Sequence, residues 1–367
     1  MGIRRFSSIV VAAVVAVTLS ACTKSTTDGT TDTTIADGSS IDIDTAEKMQ
    51  AAALAQCSAG AVVTGRPLRI ATTVAPLTNL VGAVVGDTGT TVTGIVPEGT
   101  NSHTYEPPTS AAAALENADV IFANGLMLED PTLELARKVA PRAVVCELGT
   151  AIVLATDWLF DFSFPASAGK PNPHIWTSPP YALQMISLIR DVLLKMDPAH
   201  EAVYNDNYAR VSSVAMQLDT AMEKATATID ENQRKLLTYH DAYAYFAVHY
   251  GYSVIGAIQP SSFEEPSAKD VASLIKQVEA QDVRAIFGSE VFPSPVLEQI
   301  GKETGARYVD TLRDDDLPGK PGDADHSWVG LMKANFVTIV TALGGNAEAV
   351  NSVKIATGVP DRAVYPQ

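Results

Sequence analysis

The sequence has few of the residues on which many catalytic and nucleic-acid-binding functions depend. Among 367 residues there are six histidines and three cysteines. Lysine and arginine number 26, and aspartate and glutamate number 42. The net charge of −16 argues against nucleic acid as a partner and against direct binding of the protein surface to anionic lipid. The sequence also lacks a Gly-rich phosphate loop, a GxSxG nucleophile motif and a Cys-pair zinc motif. Any reactive or ligand-binding site must therefore be assembled from residues far apart in the chain.

The sequence also lacks an apolar run long enough to span a bilayer. The run Ile9–Leu19 is about half of the roughly 20 residues that a spanning helix needs. Arg4 and Arg5 precede it and small residues follow, which is the order of a secretory signal. The stretch "LSAC" resembles a bacterial lipobox and predicts cleavage before Cys22 and diacylation of its thiol. Such a chain would be anchored to a membrane without crossing it; ordinary secretion with an unmodified Cys22 is the alternative.

Large apolar side chains are nearly absent from residues 23–45, which are rich in Thr, Ser, Asp and Gly. Such a segment cannot bury enough surface to offset its ordering entropy, so we expect a flexible tether over 23–60. The remaining residues, with a whole-chain hydrophobic content of 46%, are enough for one large or two medium domains. In an exported chain, the two cysteines other than Cys22 favour one disulfide between Cys57 and Cys146, with two free thiols as the alternative.

Short apolar strands alternate with helices on both sides of one long helical segment. This order predicts an α/β fold with two parallel-sheet lobes. Apolar residues recur at three- and four-residue steps from 199 to 235 without Gly or Pro, which predicts a rigid helix of about 30 residues, about 45 Å long. The expected organisation is a signal and lipobox at 1–22, a tether at 23–60, a first lobe at 61–196, the linker helix at 197–233, a second lobe at 234–350 and a tail at 351–367.

Three histidines and one aspartate stand at predicted ends of strands or in the turns that follow them. In open parallel sheets, ligands bind where strands end and loops begin. Three neutral imidazoles and one carboxylate suit a borderline cation such as Zn²⁺, and four filled positions are typical of binding rather than catalysis. Each residue also has an ordinary alternative as a loop, capping or core residue. The candidate ligands are His103, His174, His240 and Asp310, and the other histidines are expected to be structural or surface residues: His200, His249 and His326.

Seven segments within about residues 66–345 form a recognisable series: "TTVAPLTNLVGAVVGD", "GTNSHTYEPPTS", "NPHIWTSPPYALQM", "LTYHDAYAYFAVHYGY", "EEPSAKDVASLI", "IFGSEVFPSPVLEQI" and "YVDTLRDD". In sequence and in order they resemble the substrate-binding lipoproteins of bacterial ABC importers for zinc and manganese. The resemblance implies that the family's ligands correspond to His103, His174, His240 and Asp310. Glu290 in "GSEVF" is a reserve ligand or a group that supports the ligands.

The resemblance also implies a rigid linker helix, modest lobe movement and delivery of the metal to a membrane permease. The protein is expected to be a monomer on the outer face of the bacterial cytoplasmic membrane. His240 stands where manganese-binding members often have Glu, and nitrogen-rich ligation favours zinc on chemical grounds. Against zinc, the chain lacks the His- and acid-rich loop of many zinc-binding members. Zinc is therefore the expected cargo and manganese the alternative.

Two other classes of function remain as alternatives at this point. In an exported zinc hydrolase, water would replace Asp310 at the metal and Glu290 would act as the base. A surface adhesin would fit the expected exposure, but no sequence feature points to it. We expect a metal-binding transport component that is not an enzyme.

Overall fold

The computed structural model describes residues 41–259, 266–291 and 294–366. The predicted signal, the lipobox with Cys22 and residues 23–40 of the predicted tether lie outside these residues. The described part contains twelve α-helices and eight strands. The helices are α1 Ile43–Cys57, α2 Ala75–Val85, α3 Thr109–Glu116, α4 Asp130–Val139, α5 Leu148–Ile152, α6 Pro179–Met196, α7 Glu201–Thr226, α8 Ala244–Tyr250, α9 Ala268–Ala280, α10 Pro295–Thr304, α11 Trp328–Ala342 and α12 Glu348–Asn351.

The first lobe is built on a four-stranded parallel sheet in the order β2-β1-β3-β4. The strands are short apolar runs; in β3 all four residues are buried, as expected for a strand covered by helices on both faces. Ile70 of β1 pairs with Val92 on one side and with Val120 on the other. The strands are β1 Arg69–Thr72, β2 Thr91–Gly94, β3 Val120–Ala123 and β4 Val144–Glu147.

The second lobe repeats this topology with the order β6-β5-β7-β8. In each sheet the first strand of the lobe therefore lies between the second and the third, and the fourth lies beyond the third. Every pair of neighbouring strands is parallel. The prediction of two parallel-sheet α/β lobes is confirmed. The strands are β5 Lys235–Thr238, β6 Ser253–Ala257, β7 Ala285–Phe287 and β8 Arg307–Val309.

The long helix α7 runs between the lobes. Its 26 residues correspond to about 39 Å at 1.5 Å per residue, somewhat shorter than the sequence predicts. It packs against α2 and α6 of the first lobe and against α11 and α12 at the other end of the chain. Its apolar stripe of Val211, Leu218 and Met222 is buried in a core that extends into both lobes. One helix therefore contacts both lobes.

The structure corrects the predicted extent of the tether. Residues 43–57 form α1, whose N-terminus is capped by Asp42 accepting a hydrogen bond from the Thr45 N–H. Cys57 at the end of α1 forms a disulfide with Cys146 in β4, and both cysteines are buried. The predicted pairing is confirmed, and it fixes α1 to the first lobe.

The C-terminal tail returns to the first lobe. Val364 forms a parallel bridge with Thr93 at the free edge of β2, and its N–H donates to the Val92 carbonyl. Asp361 accepts hydrogen bonds from the Asn79 side chain of α2 and from the Tyr365 hydroxyl. The tail therefore covers an edge that would otherwise expose unpaired backbone groups. Among the described helices, we find none with both the length and the apolar character needed to cross a bilayer.

Candidate metal centre

Three of the predicted ligands lie in three different loops and meet at one point. His103 lies in the loop after β2, His174 precedes the short 3₁₀ turn Ile175–Thr177, and His240 follows β5. Their Nε2 atoms are 2.8, 3.1 and 3.2 Å apart. Ligand atoms about 2.0–2.1 Å from one tetrahedral ion are about 3.3 Å apart. The three rings are thus nearly in the arrangement that a single cation requires.

The loop conformations of two of these histidines have the same local cause. Asn101 accepts a hydrogen bond from the His103 N–H at 2.9 Å, and Asn172 accepts one from the His174 N–H at 3.0 Å. An asparagine side chain that bonds the backbone two residues later is a recognised turn-forming device. The pattern Asn-x-His at 101–103 and 172–174 therefore fixes the backbone that presents each ring.

The hydrogen bonds of Asn172 also fix the tautomer of His174. Its amide NH₂ donates to the Asp161 carboxylate at 2.7 Å and to the Asp241 carbonyl at 2.6 Å, so its oxygen must face His174. That oxygen accepts from Nδ1 at 2.8 Å. Since an amide oxygen can only accept, Nδ1 carries the hydrogen and Nε2 keeps its lone pair for a metal.

His240 has the same arrangement with a different partner. Its Nδ1 lies 2.7 Å from the Oε1 atom of Gln259, and both side chains are buried. A hydrogen on Nδ1 again leaves the Nε2 lone pair directed at the other two rings.

His103 and His174 are held neutral by their surroundings. Burial lowers the pKa of His103 and His174 well below the ordinary histidine range, and repulsion from His240 lowers the pKa of each further. Because a metal competes with protons for imidazole, neutral rings at pH 7 can bind a cation without first losing a proton.

Aromatic side chains cover the cluster. The Phe164 ring centroid lies 5.3 Å from that of His103 and 5.6 Å from that of His174. The Phe164 segment is anchored through Ser163, whose N–H donates to the Asp241 carboxylate at 3.0 Å. Trp176 packs on the other side of His174, with ring centroids 5.1 Å apart. This apolar cover lowers the local dielectric and strengthens the attraction of a bound cation to its ligands.

The most exposed of the three histidines, His103, borders a cavity of about 300 Å³. Met127, Phe164 and Lys170 also line it, and the Lys170 ammonium forms an ion pair at 3.1 Å with Asp130. The positive charge of Lys170 contributes to the lowered pKa of His103. This cavity is a route from solvent to the cluster.

The structure does not bring Asp310 to the three histidines. Asp310 directly follows β8 and its side chain is exposed, and it is not part of the cluster of closely spaced ligand atoms. Asp315 lies further along the chain, in the acidic turn 314–316. It is buried and interacts electrostatically with His240. The closely spaced ligand atoms are those of the three histidines, and Asp310 as a ligand stays a prediction.

Asp315 is a buried carboxylate near His240 that the sequence analysis did not single out. Its Oδ2 atom accepts a hydrogen bond at 2.6 Å from the hydroxyl of Ser102, the residue before His103. Its Oδ1 atom is buried and has no hydrogen-bond partner among the described residues. Burial raises the pKa of Asp315, and the nearby His240 opposes that rise. Burying a carboxylate oxygen without a hydrogen-bond partner costs free energy unless a proton or a cation binds to it. The only signal in the sequence was the run of three aspartates at 314–316.

Glu290 supports this acidic turn from behind. Its carboxylate accepts hydrogen bonds from the backbone N–H groups of Asp314, at 2.9 and 3.1 Å, and Asp316, at 3.2 Å. Burial and repulsion from Asp316 raise the pKa of Glu290 to about 8. Both oxygens are therefore committed to shaping the turn that carries Asp315.

Hydrogen bonds join this turn to the loop of the first lobe that carries His103. The Gly99 N–H donates to Asp316 at 2.7 Å and the Leu317 N–H donates to Glu98 at 3.2 Å. The ligand loops of the two lobes are thus directly connected beside the cluster.

The remaining histidines lie elsewhere. His200 pairs with Asp197 at 2.6 Å and His249 with Asp219 at 2.7 Å. His326, expected at a helix start or on the surface, is buried, with Nδ1 3.2 Å from the Pro318 carbonyl oxygen.

Comparisons with known proteins agree with this architecture. The family described as "Zinc-uptake complex component A periplasmic" matches residues 70–342. The iron-binding protein YfeA of Yersinia pestis is 28% identical over 77% of this chain and 88% of its own length. The manganese-binding lipoprotein MntA of Halalkalibacterium halodurans is 26% identical, over 76% of this chain and 89% of its own.

The fold matches that of a solved zinc-binding protein. The periplasmic zinc-binding protein TroA of Treponema pallidum superposes with a TM-score of 0.67, covering 76% of this chain and 99% of TroA at 23% identity. Two lobes of the same topology, a long helix between them and three converging histidines accompany a family match over most of the chain. The chain belongs to the periplasmic zinc-uptake complex component A family.

Proposed function

We propose that the protein captures a divalent metal ion outside the cytoplasm and delivers it to the permease of an ABC importer, with Zn²⁺ as the cargo. The observation that carries this proposal is the convergence of three buried Nε2 atoms within 3.2 Å of one another. The family, and relatives whose names include metal-binding lipoproteins, support the transport role.

The proposed ligands are His103, His174, His240 and Asp315. We place Asp315 rather than Asp310 as the fourth ligand because it is buried, has an oxygen without a hydrogen-bond partner and is close enough to His240 for the two charges to interact; neither carboxylate belongs to the closely spaced cluster of the three histidines. Two ligands come from each lobe, so a bound ion would hold the ligand loops of both lobes together. Four protein ligands leave no position for a substrate, which favours binding and release over catalysis.

The donor set supports zinc. Three imidazole nitrogens suit Zn²⁺ better than Mn²⁺, which prefers carboxylate and carbonyl oxygen. Relatives named for iron, manganese and zinc show that the fold accommodates several metals. A manganese cargo is the alternative within the same transport role.

The position of Glu290 does not favour a hydrolase. A general base must reach the water that it activates. The Glu290 carboxylate instead accepts three contacts from backbone N–H groups of the acidic turn. We therefore assign Glu290 to shaping that turn.

We also propose that Cys22 carries the lipid that keeps the protein at the outer face of the cytoplasmic membrane. A relative named as a lipoprotein supports this anchor. Incorporation of radiolabelled palmitate should occur in the native chain and disappear in Cys22→Ala. Equal labelling of both proteins would reject lipidation at this residue.

Zinc binding by His240→Ala tests the ligand assignment. Loss of a direct ligand should weaken binding by more than the roughly 10–100-fold that loss of an outer partner costs. His200→Ala is the control, because His200 is half-exposed and pairs with Asp197 away from the cluster. Equal affinity of the two variants would refute the assignment.

A further inference from the structure

A second group of metal-binding side chains lies on the linker helix, outside the centre described above. Asp219 and Glu223 are four residues apart on α7, and His249 stands near the end of α8. One possible ligand atom from each side chain lies within 4.8 Å of the other two. These three residues, which we call the helix triad, belong to two elements that pack against each other.

The helix triad is partly ordered already. The His249 Nε2 atom and the Tyr250 hydroxyl each lie 2.7 Å from the same Asp219 oxygen. A hydrogen bond from a neighbouring group to a ligating carboxylate orients it for a metal. The Tyr250 side chain is buried, so its hydroxyl holds Asp219 in place.

The charge of the helix triad is not balanced. Like charges at i and i+4 on a helix repel each other, and among the described residues no lysine or arginine forms an ion pair with Asp219 or Glu223. The hydrogen bond to Asp219 raises the pKa of His249, and the charges of Asp219 and Glu223 raise it further. A divalent cation would replace the shared proton and neutralise both carboxylates.

We propose that Asp219, Glu223 and His249 form a second, weaker site for a borderline divalent cation such as Zn²⁺. One imidazole and two carboxylates are a common donor set for such ions, with water at the open position. The Asp219–His249 contact would lengthen from 2.7 Å to about 3.3 Å around the ion. Since the ligands come from α7 and α8, the ion would link the linker helix to the second lobe.

This site differs from the buried centre in position and in exposure. Glu223 and His249 are exposed, whereas the three histidines of the buried centre are covered by aromatic rings. The second ion should therefore bind more weakly and exchange faster. The proposal does not depend on the transport function.

Isothermal titration with Zn²⁺ tests the site in the full protein purified without a His-tag. The native protein should bind two equivalents, one tightly and one at least 100-fold more weakly. His249→Gln should abolish the weaker equivalent and Glu223→Gln should weaken it at least tenfold, while both keep the tight one. Retention of the tight equivalent shows that each variant is folded.

His200→Gln is the matched control. His200 also contacts an aspartate, Asp197, but it has no third ligand nearby. It should keep both equivalents. A native protein with only the tight equivalent overturns the proposal, as does a weak equivalent that His249→Gln leaves intact or that His200→Gln also removes. An unchanged weak equivalent in Glu223→Gln overturns the three-ligand site. If the native protein binds only the weaker equivalent, the transport proposal is refuted and the second site stands.

Discussion

The hydrogen bond between Gln259 and His240 offers a sensitive test of how the centre is prepared for a metal. Gln259→Met keeps the approximate length of the side chain and removes the oxygen that accepts from Nδ1 at 2.7 Å. The buried ring must then leave its Nδ1–H without a partner or move the hydrogen to Nε2, where it blocks the metal. An unsatisfied buried donor costs about 1–3 kcal/mol, which corresponds to roughly 5- to 150-fold in affinity. We expect zinc to bind more weakly by a factor in that range.

The assay is competition with a zinc chelator of known affinity at fixed pH, with thermal unfolding of the metal-free proteins alongside. Gln277→Met is the control, because Gln277 lies in the same lobe and donates to the Ile255 carbonyl rather than to a histidine. The control should keep native affinity. If Gln259→Met also keeps native affinity while folding normally, the argument that this hydrogen bond sets the reactive tautomer is refuted.

Three further predictions follow from the same structure. Asp315→Asn should weaken zinc binding at least tenfold whereas Asp310→Asn should not; the reverse order, in a chelator competition, would restore the strand-end assignment. The Cys57–Cys146 bond closes a loop with a sequence separation of 89 residues, so replacing both cysteines by Ala should lower the free energy of unfolding in urea by about 4–5 kcal/mol; a loss below about 1 kcal/mol would contradict this. Because folding lowers the pKa of His103, the unfolded chain takes up that proton first, and the metal-free native protein should lose stability relative to His103→Gln as pH falls below about 6.5. Zinc affinity of the folded protein should stay nearly constant from about pH 8 to 6.5, because the lowered pKa values keep His103 and His174 neutral there, and should fall only at lower pH. A steep fall in affinity already between pH 8 and 6.5 would count against buried neutral histidines.

The fold could be predicted because its signal is local. Each strand is a short apolar run bounded by a turn, and α7 carries an apolar stripe without Gly or Pro. The three histidines could be proposed from the sequence because each lies in a loop, His103 after β2, His240 after β5 and His174 before a short 3₁₀ turn. These features depend on residues close together in the chain.

The parts that sequence reasoning missed depend on distant contacts. Only the hydrogen bond from Ser102, more than 200 residues away, distinguishes Asp315 from the other aspartates near the end of β8. The helix α1 buries mainly small residues, Ala46 and Ala53, so its packing face is inconspicuous, and a disulfide holds its end. The tail up to residue 366 shows no periodicity, and it is held to the first lobe by the bridge at Val364 and by the hydrogen bond between Asn79 and Asp361.

Metal competition tests the central claim most directly. The protein, purified without a His-tag, would be dialysed against Zn²⁺ and Mn²⁺ at equal free concentrations, set below the range in which the helix triad fills, and its metal content measured. The account predicts one tightly held zinc per chain that manganese does not displace and that is lost in His240→Ala. A tightly held manganese would keep the transport role and contradict the choice of zinc. No tightly held metal would contradict the account itself.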